Sequence, residues 1–154
     1  MVKRAIALMA GMAAVSTVWA TPALARSSSQ KFTIRFSGSG GGGTVYAAGP
    51  ISGTGRDRVI NDNTDRFVFS GGSVTVTHQT TSSSDSFDPR SCFGTHRETG
   101  NYQIAGGTRK YSGASGNGTY SLRATFRSKR TAKGCSNGGS GTGVVTARGT
   151  TNLP

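Results

Sequence analysis

The sequence predicts an all-β domain, a single closed antiparallel β-barrel of about eight strands, with a β-sandwich as the alternative. From residue 26 onward, Gly, Ser and Thr make up 60 of 129 residues, whereas Leu occurs twice and Glu once. Gly, Ser and Thr are poor helix formers, so this composition disfavours helices. Short stretches of alternating apolar and polar residues, separated by glycines, are typical of strands and turns. A barrel is favoured because it leaves no exposed sheet edge.

The first 25 residues predict a secretory signal peptide. Lys3 and Arg4 precede an uncharged, mostly apolar stretch at residues 5–20, and residues 23–25 give the small-x-small pattern of a cleavage site. A transmembrane anchor is the alternative, but the apolar stretch is shorter than the ~20 residues that a bilayer requires. We therefore expect a secreted or cell-envelope protein with a single domain at residues 26–154 and no transmembrane segment after cleavage.

The first strands are predicted from alternation and from glycine turns. Residues 31–36 place Phe32, Ile34 and Phe36 on one face and polar residues on the other, which is typical of a half-buried strand. Residues 44–51 continue as extended chain. Residues 66–70 and 73–79 flank the dipeptide Gly71-Gly72, which predicts a β-hairpin. Residues 80–88 are rich in serine and are predicted to form a polar loop.

The second half of the chain contains the longest predicted strand. Strands are expected at residues 93–98, 101–105, 110–114 and 118–127, with glycines between them. In the last of these, Tyr120 and Leu122 share one face, whereas Arg123 and Arg127 share the other. Residues 128–143 are predicted to form a basic, glycine-rich loop, and residues 144–148 a closing strand.

The two cysteines, Cys92 and Cys135, are the whole thiol content of the chain. In an exported protein, an isolated pair of this kind predicts a disulfide bond. On the chain-entropy model such a bond stabilises the fold by roughly 4 kcal/mol.

One stretch of the sequence resembles a known family. Residues 104–116 read IAGGTRKYSGASG. They are similar to the glycine-rich hairpin of the allene oxide cyclase and dirigent barrels, in which Gly-Gly-Thr-Gly is followed by a basic residue, an aromatic residue and Gly-Ala-x-Gly. Arg109 stands where that pattern has glycine.

A looser resemblance covers most of the chain after residue 25. Residues 49–55 and 74–78, together with Cys92 and Cys135, resemble a group of small, secreted, uncharacterised bacterial proteins with the same hairpin. The resemblance implies a calycin-like antiparallel barrel of eight strands. It does not imply cyclisation or phenoxy-radical coupling, because no motif matches the catalytic residues of either plant family.

His78 is the one candidate for a catalytic residue. It continues the face of Val74 and Val76, so it lies in the lumen if that face points inward. An imidazole there is suited to general-base chemistry or to orienting a ligand. The alternative is a histidine held by hydrogen bonds at the end of a strand. Tyr102 and Tyr120 are the other candidate ligand-binding residues.

The acidic residues do not indicate a catalytic pair or a metal site. All six lie between positions 57 and 98, and no spacing between them points to one site. A glycosidase is disfavoured also because the chain has no Trp after residue 25 for stacking against sugars. Residues 61–65 place oxygen ligands at alternate positions, but they lack the glycine and the final glutamate of an EF-hand loop. We predict neither a metal site nor a cofactor.

Charge is the broadest signal in the sequence. Residues 99–154 hold eight basic side chains and no acidic one. This asymmetry predicts a cationic patch for an anionic polymer or surface; the alternative is that the charge only keeps an exported protein soluble. The predicted patch comprises Arg109, Lys110, Arg123, Arg127, Lys129, Arg130 and Lys133. Specific binding of nucleic acid is disfavoured, because no basic-aromatic sheet motif is present.

Two functions follow from these observations. The preferred one is a secreted, non-enzymatic β-barrel whose basic face binds an anionic envelope or extracellular partner. The alternative is a barrel that takes a small apolar ligand into its lumen, as a carrier or as an enzyme of the cyclase and dirigent kind. An open lumen that contains His78 distinguishes the second function from the first.

Overall fold

The computed structural model describes residues 27–38 and 42–154. The predicted signal peptide lies outside these residues. Among them, eight strands and one short 3₁₀ helix follow one another along the chain. They are β1 (Ser28–Gly38), β2 (Thr44–Ala48), β3 (Gly53–Asn61), β4 (Thr64–Phe69), β5 (Gly72–Asp88), β6 (Phe93–Gly107), the 3₁₀ helix (Arg109–Tyr111), β7 (Ser115–Thr131) and β8 (Gly134–Asn152).

The strands form a closed antiparallel barrel, as predicted. Each strand pairs with the next one along the chain, and β8 returns to pair with β1. This closing pair extends from Ser28 opposite Thr151 to Gly38 opposite Gly141. The order is therefore a simple meander that closes on itself. The outer parts of some strands, such as β5 after His78, have a paired neighbour on one side alone.

One end of the barrel is closed by apolar side chains. The β2–β3 and β4–β5 turns and residues 108–114 meet there, and Ile51, Phe69 and Tyr111 are buried among them. The rings of Phe69 and Tyr111 pack edge to face with centroids 5.8 Å apart. Gln30 ties the β2–β3 turn to β1, because its side-chain amide donates to the Ile51 carbonyl and accepts from the Ile51 N–H, each at 2.9 Å. We call this the closed end of the barrel.

The opposite end has unequal walls. Strands β5 to β8 have 17, 15, 17 and 19 residues, whereas β2 and β4 have 5 and 6. The long strands therefore extend beyond the short ones as a wall on one side of what we call the open end. The predicted disulfide is confirmed here: Cys92 precedes β6 and Cys135 begins β8, with Cα atoms 5.5 Å apart. It joins the tips of the β5–β6 and β7–β8 hairpins.

The inward face contains glycines directly opposite aromatic side chains. Gly100 of β6 is paired with Tyr120 of β7, and Gly118 of β7 with Tyr102 of β6. A Cβ atom added at Gly100 would lie 2.6 Å from the Tyr120 ring, and one at Gly118 would lie 2.7 Å from the Tyr102 ring. Glycine at these positions gives the rings the space they need inside a narrow barrel.

Several predicted elements were wrong. Residues 93–98 and 101–105, predicted as two strands, form the single strand β6, and β3 was not predicted. Residues 80–88 and most of residues 128–143, predicted as loops, belong to strands β5, β7 and β8. Their composition does not predict strands, but backbone hydrogen bonds with the neighbouring strands hold them in extended conformation. Residues 110–114, predicted as a strand, follow the start of the 3₁₀ helix and turn Tyr111 and Ala114 into the closed end. No helix within the described residues is long and apolar enough to cross a membrane.

Candidate functional site in the barrel lumen

The lumen encloses a cavity of about 260 Å³ between the closed and the open end. Its wall is mostly apolar and includes Phe32, Ile34 and Phe67. Six polar or titratable side chains interrupt this wall: Asp57, Asp65, His78, Glu98, Tyr102 and Tyr120. An apolar cavity with a few converging polar groups is the usual form of a small-molecule site.

Strand alternation brings Asp57 and Asp65 into the lumen on neighbouring strands. Asp57 of β3 is paired with Phe67, and Asp65 of β4 is paired with Val59. The two carboxyl groups are therefore diagonal neighbours on the inward face. Burial, and then the charge of Asp65, raise the pKa of Asp57 from 3.8 to about 7. The Asp57 carboxyl group can thus give up or accept a proton near neutral pH.

His78 of β5 lies beside Asp65. Its Nε2 atom is 3.3 Å from Oδ2 of Asp65, and the two side chains are 24% and 19% exposed. Burial raises the pKa of Asp65, and the charge of His78 and its hydrogen bond partly offset that effect. The Nδ1 atom of His78 is buried and has no hydrogen-bond partner among the described residues.

The two tyrosines of the site differ in their hydrogen bonding. The hydroxyl of Tyr120 donates to the carboxylate of Glu98 and lies 3.1 Å from the hydroxyl of Thr80. Burial, and then the bond to Glu98, raise the pKa of Tyr120 to about 12. The Tyr102 hydroxyl is buried and has no partner among the described residues, and burial raises its pKa. Tyr120 also packs edge to face on His78, with ring centroids 5.7 Å apart.

A second histidine lies closer to the open end. The Nδ1 atom of His96 is 2.7 Å from Asp85, and its Nε2 atom is 3.2 Å from Glu98. The hydrogen bond to Asp85 is the largest cause of a raised His96 pKa. Burial raises the pKa of Glu98, but its hydrogen bonds with Tyr120, Thr80 and His96 together lower it below the ordinary value. Hydrogen bonds thus connect Asp85 through His96 and Glu98 to Tyr120.

The structure brings together the residues predicted to contact a ligand. His78, Tyr102 and Tyr120 all line the one cavity. Sequence reasoning missed Asp57, Asp65 and Glu98. Asp65 had a usable signal, because it alternates with Phe67 and Phe69, both of which are buried.

The predicted cationic residues fall into two groups, two at the closed end and five along the β7–β8 hairpin. Arg109 and Lys110 belong to the 3₁₀ helix at the closed end, whereas Arg123 and Arg127 are exposed on β7. Lys129 is exposed near the end of β7, and Lys133 lies in the turn before β8. The guanidinium of Arg130 donates to the backbone carbonyls of Pro89 and Arg90 in the β5–β6 turn.

Comparison with family models, with curated proteins and with solved structures gave no match. Within the part of the chain that the structure describes, no three His, Cys, Asp or Glu side chains converge as a metal ion would require.

Proposed function

We propose that the barrel binds, in its lumen, a small and mainly apolar molecule that carries a cationic nitrogen or a similar hydrogen-bond donor. The observation that supports this proposal is the cavity itself, because three of the residues that line it each have a buried polar atom with no hydrogen-bond partner among the described residues: Asp57 Oδ1, His78 Nδ1 and Tyr102 Oη. Each unpaired buried polar group costs about 1–3 kcal/mol. A ligand that pairs with them recovers part of that cost.

Size and charge define the ligand further. A volume of about 260 Å³ corresponds to roughly nine water-sized groups, so the ligand is smaller than a typical drug molecule. The cavity contains the carboxyl groups of Asp57, Asp65 and Glu98 and no lysine or arginine. A cation gains from these carboxylates and from the faces of the lumen aromatics, whereas an anion is repelled.

The experiment compares three molecules of the same shape and different charge: 2-phenylethylamine, 2-phenylethanol and phenylacetate. We expect the amine to bind most tightly and the carboxylate least, as measured by calorimetric titration at pH 7.5. Asp65→Asn should weaken binding of the amine by about tenfold, which is 1.4 kcal/mol, and leave binding of the alcohol nearly unchanged. Asp62→Asn removes an exposed carboxylate from the β3–β4 turn and is the matched control.

A variant with a blocked lumen tests the location. Leu122 is half-buried and lines the cavity, so Leu122→Trp should abolish binding of all three probes while the β-sheet circular dichroism is retained. The proposal would be overturned if Leu122→Trp bound the probes as tightly as the wild-type protein does, or if the wild-type protein showed no preference for the amine.

A second candidate function, catalysis on the bound molecule, is favoured by Asp57. A carboxyl group with a pKa of about 7 is suited to general acid–base chemistry at neutral pH. If Asp57 has this catalytic role, the Asp57→Asn variant should bind a substrate but fail to convert it. Loss of binding and conversion together would leave a binding role alone for Asp57.

A further inference from the structure

Three arginines stand at one level on the outer face of the barrel. Arg97 of β6 is paired with Arg123 of β7, Arg123 with Val144 of β8, and Val144 with Arg35 of β1. Neighbouring strands are about 4.8 Å apart, so the distance from β6 to β1 across these four strands is about 15 Å. We call Arg35, Arg97 and Arg123 the arginine row.

No carboxylate pairs with the arginine row within the described residues; the guanidinium of Arg35 lies over the Tyr46 ring, 6.0 Å from its centroid. Every salt bridge there joins a histidine to a carboxylate. Asp57, Asp65 and Glu98 line the lumen instead, and strands β1, β7 and β8 contain no acidic residue. Like charges directly opposite each other on adjacent strands destabilise a sheet. Arg97 and Arg123 are such a pair, so an anion bound between them would relieve a repulsion that is built into the fold.

The surroundings of the arginine row are hydroxyl groups. A shallow groove of about 560 Å³ runs along the row and is also lined by Thr95, Thr125 and Thr142. Those three threonines form the next outward level on β6, β7 and β8. The groove therefore offers charged, fork-shaped donors beside groups that both donate and accept hydrogen bonds.

We propose that the arginine row binds an acidic polysaccharide, with sugar carboxylates on the guanidinium groups and sugar hydroxyls on the threonines. Guanidinium and carboxylate groups form paired, charge-assisted hydrogen bonds, for which arginine is better shaped than lysine. Among the residues lining the groove outside the row, Val144 is the one exposed large apolar side chain and Phe36 is half-buried, which is too little apolar surface to anchor the face in a membrane. A series of stacking rings, as in sites for single-stranded nucleic acid, is also missing from this lining.

This site differs from the patch expected from the sequence. It shares Arg123 with that patch and adds Arg35 and Arg97, which lie far from it in sequence. The pairing of β1 with β8 brings Arg35 into position, and no charge count along the chain reveals that neighbourhood.

The test compares two triple variants of equal charge. One is Arg35→Gln/Arg97→Gln/Arg123→Gln in the arginine row. The control is Arg58→Gln/Arg66→Gln/Arg90→Gln, which changes three exposed arginines outside the row. It also contains a directly opposed pair, Arg58 and Arg66, whereas Arg90 lies in the β5–β6 turn. Arg56 is left unchanged, because Thr44 pairs with both Arg35 and Arg56 and so places Arg56 at the level of the row.

Binding is measured to polygalacturonate, to neutral dextran, to an oligo-dT strand and to vesicles containing phosphatidylglycerol. We expect salt-dependent binding of polygalacturonate that falls by about tenfold or more in the row variant and by less than about threefold in the control. Retained binding of 2-phenylethylamine by both variants would show that the barrel remains folded; if neither binds it, an unchanged thermal unfolding transition shows the same. An equal loss in both variants, or tighter binding to oligo-dT, vesicles or dextran than to polygalacturonate, would overturn the proposal.

Discussion

At the scale of single residues, the carboxyl group of Asp57 lowers the stability of the fold at neutral pH and is also a candidate for proton transfer. Its carboxyl group lies in a largely apolar wall, close to a second carboxyl group, and these two causes raise its pKa to about 7. The folded protein therefore binds a proton at Asp57 more tightly than the unfolded chain does. As the pH rises from about 4 to about 7, the folded state loses stability, because it must ionise a carboxyl group that its surroundings disfavour.

Replacing Asp57 with asparagine should remove this pH dependence. We expect Asp57→Asn to flatten the fall in unfolding free energy between pH 4 and pH 7. At pH 8 the gain in stability should be about 2 kcal/mol, roughly half of what the pKa shift alone implies, because solvent partly reaches the group. Urea unfolding of both proteins at pH 4, 6 and 8 measures these unfolding free energies.

Asp62→Asn serves again as the control, since Asp62 is an exposed turn residue. Its unfolding free energy should follow the wild-type pH profile. A parallel profile for Asp57→Asn would show that the carboxyl group does not carry the effect.

The predictability of the site also differs from residue to residue. His78, Tyr102 and Tyr120 were found because each continues an alternating apolar face. Asp57 was missed because its same-face neighbours are Gly55, which provides no apolar signal, and Val59, whose alternation is obscured by the adjacent Ile60. Gly55 is glycine because the ring of Phe69 occupies the space of its Cβ atom, which would lie 2.6 Å from that ring. Packing across strands thus removed the pattern by which Asp57 could be recognised.

At the scale of elements, β6, β7 and β8 contain glycines where an aromatic ring or the backbone of a neighbouring strand occupies the space of a Cβ atom. At Gly118 of β7, both a ring and a neighbouring backbone lie in that space. It is paired with Gly149 of β8, and a Cβ atom added there would collide with the backbone carbonyl of Arg148 and approach the Tyr102 ring. Backbone of a paired strand cannot move aside as a surface side chain can.

Gly118→Ala should therefore destabilise the protein by about 2 kcal/mol or more through overpacking. Denaturant unfolding measures the change. The control is Gly71→Ala, where an added Cβ atom meets the movable side chain of Lys110 at 3.2 Å, and we expect a change below about 1 kcal/mol. Equal effects of the two substitutions would contradict the packing argument.

Element boundaries were predictable only where one face is buried. The hairpin around Gly71-Gly72 was predicted correctly because Phe67, Val74 and Val76 mark its inward face. Residues 80–88 are exposed on both faces and give no such pattern. They form a strand because β6 offers backbone partners along their whole length.

For the whole molecule, the disulfide is the covalent link between the two long hairpins. It spans 43 positions of sequence and joins them where they extend beyond the rest of the barrel. Its removal should loosen the open end before it affects the closed end, where Gln30, Ile51 and Tyr111 are buried.

We expect Cys92→Ser/Cys135→Ser to lose up to roughly 4 kcal/mol of stability on the chain-entropy model. Hydrogen exchange should accelerate in the outer halves of β5 to β8 and change little around Ile51. Wild-type protein under reducing conditions is the matched comparison and should behave like the double variant. Unchanged exchange near the open end would contradict a clamping role.

The barrel was predicted correctly, because alternating stretches and frequent glycines along the chain indicate about eight strands, although β3 was missed and β6 was divided into two. The neighbours created by closure, including the arginine row, were not predictable, because they depend on the pairing of β1 with β8. That pairing joins residues more than a hundred positions apart, whereas every other pair of strands is a hairpin.

The meander also has a consequence for folding. The local hairpins form without long loop closure, so pairing of β1 with β8 is the step with the largest entropic cost. Before that step the sheet is open, and β1 and β8 are its two free edges. Those edges carry Lys31, Arg35 and Arg148, and charged side chains on an edge disfavour pairing with another chain. The same cations that face outward in the finished barrel therefore protect the unfinished one from aggregation.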